Sequence, residues 1–127
     1  MLEAPYKYFL VVTKRCDSRC KYCSIWREPE HQELTLAEFE RIALKSPQLK
    51  WLNISGGEPT LRDDLSEIIG VFKKNCKNLL MVNFTTNGID SKRIVEKVKS
   101  ISELGIAKLV INVSIDGPDR PGKFLPV

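Results

Sequence analysis

Strand-like and helix-like segments alternate along the whole chain, and that alternation leaves few ways to fold it. Tyr6 to Thr13 (YKYFLVVT) is rich in aromatic and β-branched residues and reads as a strand. Thr35-Leu36-Ala37-Glu38 carries a capping-box signature, and Leu36, Phe39, Ile42 and Ala43 then share one helical face. Trp51 to Ser55 reads as a second strand. A second helix starts at Asp63 or Asp64 and turns Leu65, Ile68, Ile69 and Phe72 to the core. Leu79 to Thr85 is a third strand, Ser91 to Leu104 a third helix closed by Gly105, and Lys108 to Ile115 a fourth strand. Strands separated by helices pair in parallel through right-handed crossovers.

The strands carry a second pattern. Asn53 and Ser55 share one face, as do Asn83, Thr85 and Asn87, and as do Asn112, Ser114 and Asp116. The other face holds Leu52 and Ile54, then Val82 and Phe84, then Ile111, Val113 and Ile115. A parallel sheet covered on both sides reads as almost uniformly apolar. Alternation instead predicts helices on one face and a polar concavity on the other. The fold expected is α/β, a parallel half barrel of partial TIM-like form with the order β-α-β-α-β-α-β. Sites in such folds sit at the C-terminal strand ends.

Three cysteines follow the first strand, in the run Cys16-Asp17-Ser18-Arg19-Cys20-Lys21-Tyr22-Cys23, spaced C-x3-C-x2-C. Three thiolates on one short loop can ligate three irons of a four-iron cluster and leave the fourth open as a reaction site. The same loop could hold zinc, with Cys76 or His31 as the fourth ligand. Clustered cysteines fit a reducing compartment, where metal or redox chemistry outweighs disulfides. No apolar run is long enough to span a membrane, and Lys7 interrupts any signal-peptide pattern, so a cytoplasmic location is expected. The formal charge of +4 is spread along the chain with no basic block, so nucleic acid is not indicated.

Three further motifs fall on the rim that carries the cysteine loop. Gly56-Gly57-Glu58-Pro59 ends the second strand, Thr86-Asn87-Gly88 the third and Ser114-Ile115-Asp116-Gly117 the fourth. Paired glycines let a backbone come close to a ligand. With Tyr22 before the last cysteine, these motifs make the chain resemble the N-terminal part of a radical S-adenosylmethionine (radical SAM) enzyme. The resemblance implies a 4Fe-4S cluster on Cys16, Cys20 and Cys23, with S-adenosylmethionine chelating the open iron. It implies that Tyr22 lies by the adenine and that Gly56, Gly57, Glu58 and Pro59 bind the methionine amino group. Ser114 and Asp116 would touch ribose or carboxylate, Asn87 would support the substrate side, and Trp26 would shield the cluster. Reductive cleavage to a 5′-deoxyadenosyl radical, with flavodoxin or ferredoxin as reductant, would then abstract hydrogen from an unknown substrate.

The family core resembles six βα units, which at roughly 30 residues each need about 180. The chain has 127 residues and is expected to be truncated, with residues 1–117 forming the N-terminal portion of the core and 118–127 an irregular tail broken by Pro118, Pro121 and Pro126. An open edge invites pairing, so a homodimer or a second chain completing the barrel is expected. Whether this polypeptide turns over alone or serves as a non-catalytic cluster- or cofactor-binding module is left open by the sequence.

Overall fold

The computed structural model describes residues 4–29 and 32–115. Seven elements follow in chain order: β1 (Lys7–Thr13), α1 (Leu36–Leu44), β2 (Trp51–Gly56), α2 (Leu65–Asn75), β3 (Met81–Thr86), α3 (Ser91–Ser102) and β4 (Lys108–Val113). Short 3-10 turns at Ile25–Arg27 and Pro59–Leu61 interrupt two of the loops. The four strands form one parallel sheet in the order β1-β2-β3-β4. Each crossover therefore steps one strand in the same direction. A sheet wound this way keeps its helices on one side and curls toward a barrel. The expected α/β half barrel is what the chain forms.

Register explains which face is covered. Tyr8, Leu52, Val82 and Leu109 lie on one rung, and Leu10, Ile54, Phe84 and Ile111 on the next with the same orientation. These rungs meet Phe39 and Ala43 of α1, Ile68, Ile69 and Phe72 of α2, and Ile101 of α3 in one continuous core. Phe39, Phe72 and Phe84 are fully buried, and burial of such side chains stabilises by roughly 1.5–3 kcal/mol each. Between the rungs the side chains turn to the uncovered face. There Trp51 Nε1 donates to Asn83 Oδ1 at 2.5 Å, and Asn83 Nδ2 donates to Asn53 Oδ1 at 3.1 Å. The polar alternation is thus a side-chain ladder across β2 and β3. Phe9 and Val11 stand exposed on the same face of β1.

Capping fixes the helix starts. Thr35 Oγ1 accepts from the Glu38 amide at 3.3 Å while Glu38 Oε2 accepts from the Thr35 amide at 2.8 Å, so both halves of the capping box form. Asp90 caps α3 by accepting from the Arg93 amide. Asp64 precedes α2 without a side-chain cap, because its carboxylate is held by Arg62. Gly105 follows α3 with φ of 68°, in the left-handed region its place after the helix requires.

The observed boundaries correct the expected ones at several ends. β3 starts at Met81 and runs to Thr86, α3 stops at Ser102, and β4 stops at Val113. The alternating face was expected to include Asn87. The strand has ended before Asn87, which turns inward and is buried. At the far edge Val113 and Ile115 are exposed, so helix cover does not reach the end of β4. Asp116, Gly117 and the proline-containing tail lie outside the described residues, as does His31.

A cysteine loop tied to the strand rim

The loop that carries the cysteines leaves β1 through a close backbone approach. The β1–β2 register shifts between Val11 and Thr13, so that Thr13 comes to face Gly56. Beyond it Gly57 N donates to Thr13 O at 2.9 Å and Glu58 N donates to Arg15 O at 2.8 Å. A Cβ on Gly56 would collide with the Thr13 carbonyl. One on Gly57 would lie 2.7 Å from Arg15 C and 2.8 Å from Lys14 O. The paired glycines thus make room first for the chain's own segment leading into Cys16.

Glu58 is fully buried at this junction. Its Oε1 accepts from Thr60 Oγ1 at 2.5 Å, from Thr60 N at 3.3 Å and from Thr86 Oγ1 at 2.8 Å. Its Oε2 accepts from Asn87 N at 2.7 Å. The side chain therefore joins the ends of β2 and β3 beneath the rim. Pro59, also buried, opens the following 3-10 turn where its missing N–H costs nothing.

Two arginines fasten the loop at its ends, and sequence reasoning missed both. Arg93 NH2 donates to Asp17 Oδ2 at 2.8 Å, and Asn87 Nδ2 donates to Asp17 Oδ1 at 2.7 Å. Partial burial works against ionisation of Asp17, yet these hydrogen bonds and the Arg93 charge hold its carboxyl below the usual range. At the other end Arg62 NH2 donates to Leu34 O at 2.9 Å and NH1 to Val12 O at 3.0 Å. Glu33 accepts from the Thr13 hydroxyl and, at 3.1 Å, from Arg15 Nε. Partial burial opposes its ionisation too, but Thr13, Arg15 and Arg62 pull its carboxyl down.

The hydrogen bonds from Arg62 lower the Asp64 carboxyl pKa. A carboxyl depressed in the folded state stabilises the fold above its unfolded pKa, near about 3.9, and that contribution is lost as pH falls through the folded value. D64N should therefore flatten the acid limb of stability against pH, by lowering stability at neutral pH and changing little at strongly acidic pH, where Asp64 is itself protonated. Urea midpoints for both proteins between neutral and strongly acidic pH check this; parallel acid limbs would contradict it.

Cys16, Cys20 and Cys23 are all free thiols of intermediate exposure. Burial pushes the Cys16 thiol up, with the negative charges of Asp17 and Glu58 adding to it against a backbone hydrogen bond from Ser18. Cys20 Sγ lies 3.1 Å from Ser18 Oγ. Cys23 N donates to Cys20 O at 3.2 Å, and Trp26 Nε1 donates to the same oxygen at 3.3 Å, which braces this turn. The guanidiniums of Arg19 and Arg27 lie 5.1 and 4.7 Å from the Trp26 ring centre. Among the described residues no three His, Cys, Asp or Glu side chains converge closely enough to hold a metal ion. The loop thus brings three thiol donors to the rim without gathering them to one point.

An open cavity of about 530 Å³ adjoins Cys16, lined by Lys14, Arg15, Trp26, Glu28, Pro29 and Glu33. Tyr22 is 76% exposed. Ser114 is half-buried, and its amide donates to Thr86 O at 2.9 Å. Cys76, the alternative fourth ligand, is buried in the core and donates to Ala43 O at 3.6 Å, so it belongs to the α1–α2 packing. No helix among the described residues is long and apolar enough to cross a membrane.

Comparison with known proteins agrees with this architecture. Residues 10–125 match the family model for the radical SAM superfamily, and the chain belongs to that superfamily. It is 30% identical to the GTP 3′,8-cyclase of Aquifex aeolicus over 98% of this chain and 40% of that protein. It is 34% identical to the GTP 3′,8-cyclase of Haemophilus ducreyi over 96% of this chain and 36% of that one. It is 35% identical to a probable GTP 3′,8-cyclase of Methanopyrus kandleri, over 86% of this chain and 34% of that protein. The chain thus spans two fifths or less of the length of these curated relatives. Among solved structures, BtrN in complex with AdoMet and 2-DOIA superposes with a TM-score of 0.68 at 19% identity, covering 87% of this chain and 46% of BtrN. That likeness is one of fold.

Proposed function

We propose that this chain carries the cluster and cofactor end of a radical SAM catalyst. The reading rests on one observation: three free thiols spaced C-x3-C-x2-C sit on a loop whose base is hydrogen-bonded to the Gly-Gly-Glu-Pro turn, at the C-terminal ends of a parallel sheet. The donor set suits a 4Fe-4S cluster, since Cys thiolates are the usual ligands and three of them leave one iron open. Cys16, Cys20 and Cys23 would hold it. Bound there, such a cluster would supply one-electron reduction, drawn from a low-potential donor such as flavodoxin or ferredoxin, for cleavage of the S-adenosylmethionine C–S bond.

The chain's own residues supply position and shielding. Gly56 and Gly57 let the segment entering Cys16 lie against the turn, and the Gly56-Gly57-Glu58-Pro59 strand end is assigned to the methionine amino group. Glu58 acts from below, holding the rim by its contacts to Thr60, Thr86 and Asn87. Trp26 braces the Cys20–Cys23 turn and, with Pro29, walls the cavity beside Cys16. Tyr22 is assigned to the adenine, and Ser114 and Asp116 to the ribose or carboxylate. The relatives' name directs the first substrate trial to GTP.

Anaerobic reconstitution with iron and sulfide tests the reading. About four irons per chain are expected, with a reduced-cluster EPR signal that changes when S-adenosylmethionine is added. Alanine at Cys16, Cys20 or Cys23 should abolish that signal. A signal indifferent to S-adenosylmethionine would reduce the chain to a cluster-binding module. Stoichiometric zinc in place of iron and sulfide would overturn the reading.

A further inference from the structure

Five residues from four separate segments close a ring beneath the cysteine loop, four links running side chain to side chain and one through the Asn87 backbone amide. Asp17 Oδ1 accepts from Asn87 Nδ2 at 2.7 Å, and Asn87 N donates to Glu58 Oε2 at 2.7 Å. Glu58 Oε1 accepts from Thr60 Oγ1 at 2.5 Å, and Thr60 Oγ1 accepts from Arg93 Nε at 3.2 Å. Arg93 NH2 returns to Asp17 Oδ2 at 2.8 Å. Donors and acceptors are consistent around the circuit, with the Thr60 hydroxyl accepting on one side and donating on the other. The members come from the cysteine loop, the Gly-Gly-Glu-Pro turn, the end of β3 and the first turn of α3. Asp17 is the only one on the loop, and it adjoins Cys16.

From this ring we infer that Asp17 and Arg93 are positioning residues that set the cysteine loop on the rim before any metal arrives. The physical case turns on where each group sits. Glu58, Thr60 and Asn87 are buried or nearly so and belong to the scaffold. The Asp17 and Arg93 side chains keep 30% and 25% of their exposure, and such a pair contributes little to global stability. The core lies beneath the helices and does not depend on them. The loop has a different dependence. Beyond the backbone bonds of Thr13 and Arg15, the Asp17 carboxylate is its cross-link to β3 and α3, and it accepts two hydrogen bonds, one of them from a charged donor. Charge-assisted hydrogen bonds within a network are the strong ones. Losing Asp17 should free Cys16 and the residues after it while the sheet stays folded.

The tie is tested in the metal-free chain by hydrogen–deuterium exchange of residues 14–24, beside a thermal melt. In D17A and R93A, loop exchange should rise about tenfold, as for local opening that does not involve the global fold, while the melting temperature stays near that of the parent. The double variant D17A/R93A should exchange no faster than D17A, since the Arg93 bond to Asp17 is already gone there. D17N, which keeps a carbonyl acceptor, should recover part of the protection. Loop exchange unchanged in D17A would overturn the inference. So would a rise matched by an equal fall in the melting temperature, because that is loss of the fold. The use of the tie rests on the cluster reading and has its own readout. After reconstitution, chelator should strip iron from D17A several-fold faster than from the parent. If the parent takes up no iron, the cluster reading falls while exchange still decides the tie.

Discussion

Replacing Arg62 with alanine is expected to lower stability by about 3–5 kcal/mol, because the carbonyls of Val12 and Leu34 lose a charged donor whose hydrogen bonds contribute roughly 1.5–3 kcal/mol each. For a domain of this size that is a fall of roughly 10–20 °C in melting temperature. The Asp64 side chain, 36% exposed, adds little to the loss. The Arg62 side chain keeps 7% of its exposure. It makes two hydrogen bonds to Asp64, at 2.7 and 2.9 Å, and one each to the carbonyls of Val12 and Leu34. Glu33 lies 3.5 Å away, and the Phe39 ring centre is 5.3 Å from the guanidinium carbon. One planar cation thus joins the end of β1, the far end of the cysteine loop, the start of α2 and the face of α1.

Truncation would leave two carbonyls without their donor and Asp64 without its counter-charge. Lysine should recover less than half of the loss, because a single ammonium cannot reach two carbonyls and both carboxylate oxygens together. The pair R62A/D64A should be less destabilised than the sum of its members, since the orphaned carboxylate is gone. Calorimetric melts of these variants give the comparison. A loss below about 1 kcal/mol for R62A, the range of an exposed ion pair, would show that the guanidinium is solvated and joins nothing.

What could be read before folding, and what could not, divides along chain distance. The capping box at Thr35 and Glu38 lies within four residues and is visible as a motif. The Asn53–Asn83 ladder follows from two-residue periodicity plus parallel pairing, so the uncovered polar face was legible once strands were assigned. The tying roles of Arg62 and Arg93 were not legible, because the partners through which they hold the cysteine loop lie far along the chain: Val12 is 50 residues from Arg62, and Asp17 is 76 from Arg93. No local pattern marks a cation that waits for a carbonyl on another strand. The Gly-Gly-Glu-Pro turn shows a subtler limit. Sequence shows that a backbone must come close at Gly56 and Gly57, but not which backbone, and the neighbour the fold supplies is Thr13 to Arg15. For Glu58 the motif implies a carboxylate at the cofactor, and what only the fold supplies is its set of partners, Thr60, Thr86 and Asn87.

Those two glycines carry the second large effect. Gly56→Ala should destabilise by about 3–5 kcal/mol, a large part of the 5–15 kcal/mol typical of a domain. Two costs add. Gly56 has φ of 141°, where an L side chain is strained, at about 1–3 kcal/mol. Its Cβ would also overlap the Thr13 carbonyl, a backbone atom that cannot turn aside, so β1 and β2 must separate where Gly57 N meets Thr13 O. Gly57 lacks the positive φ, so Gly57→Ala carries the collision alone, against Arg15 and Lys14. That displacement falls on the segment entering Cys16, and iron uptake should suffer more than melting temperature. Gly105→Ala isolates the other cost, because Gly105 has φ of 68° and nothing within 4 Å of its Cβ position; about 1 kcal/mol is expected there. Urea midpoints should therefore fall least for G105A and most for G56A. If G56A proves no worse than G105A, the approach of β2 to the root of the cysteine loop is looser than the fold requires, and the rim cannot set where Cys16 stands.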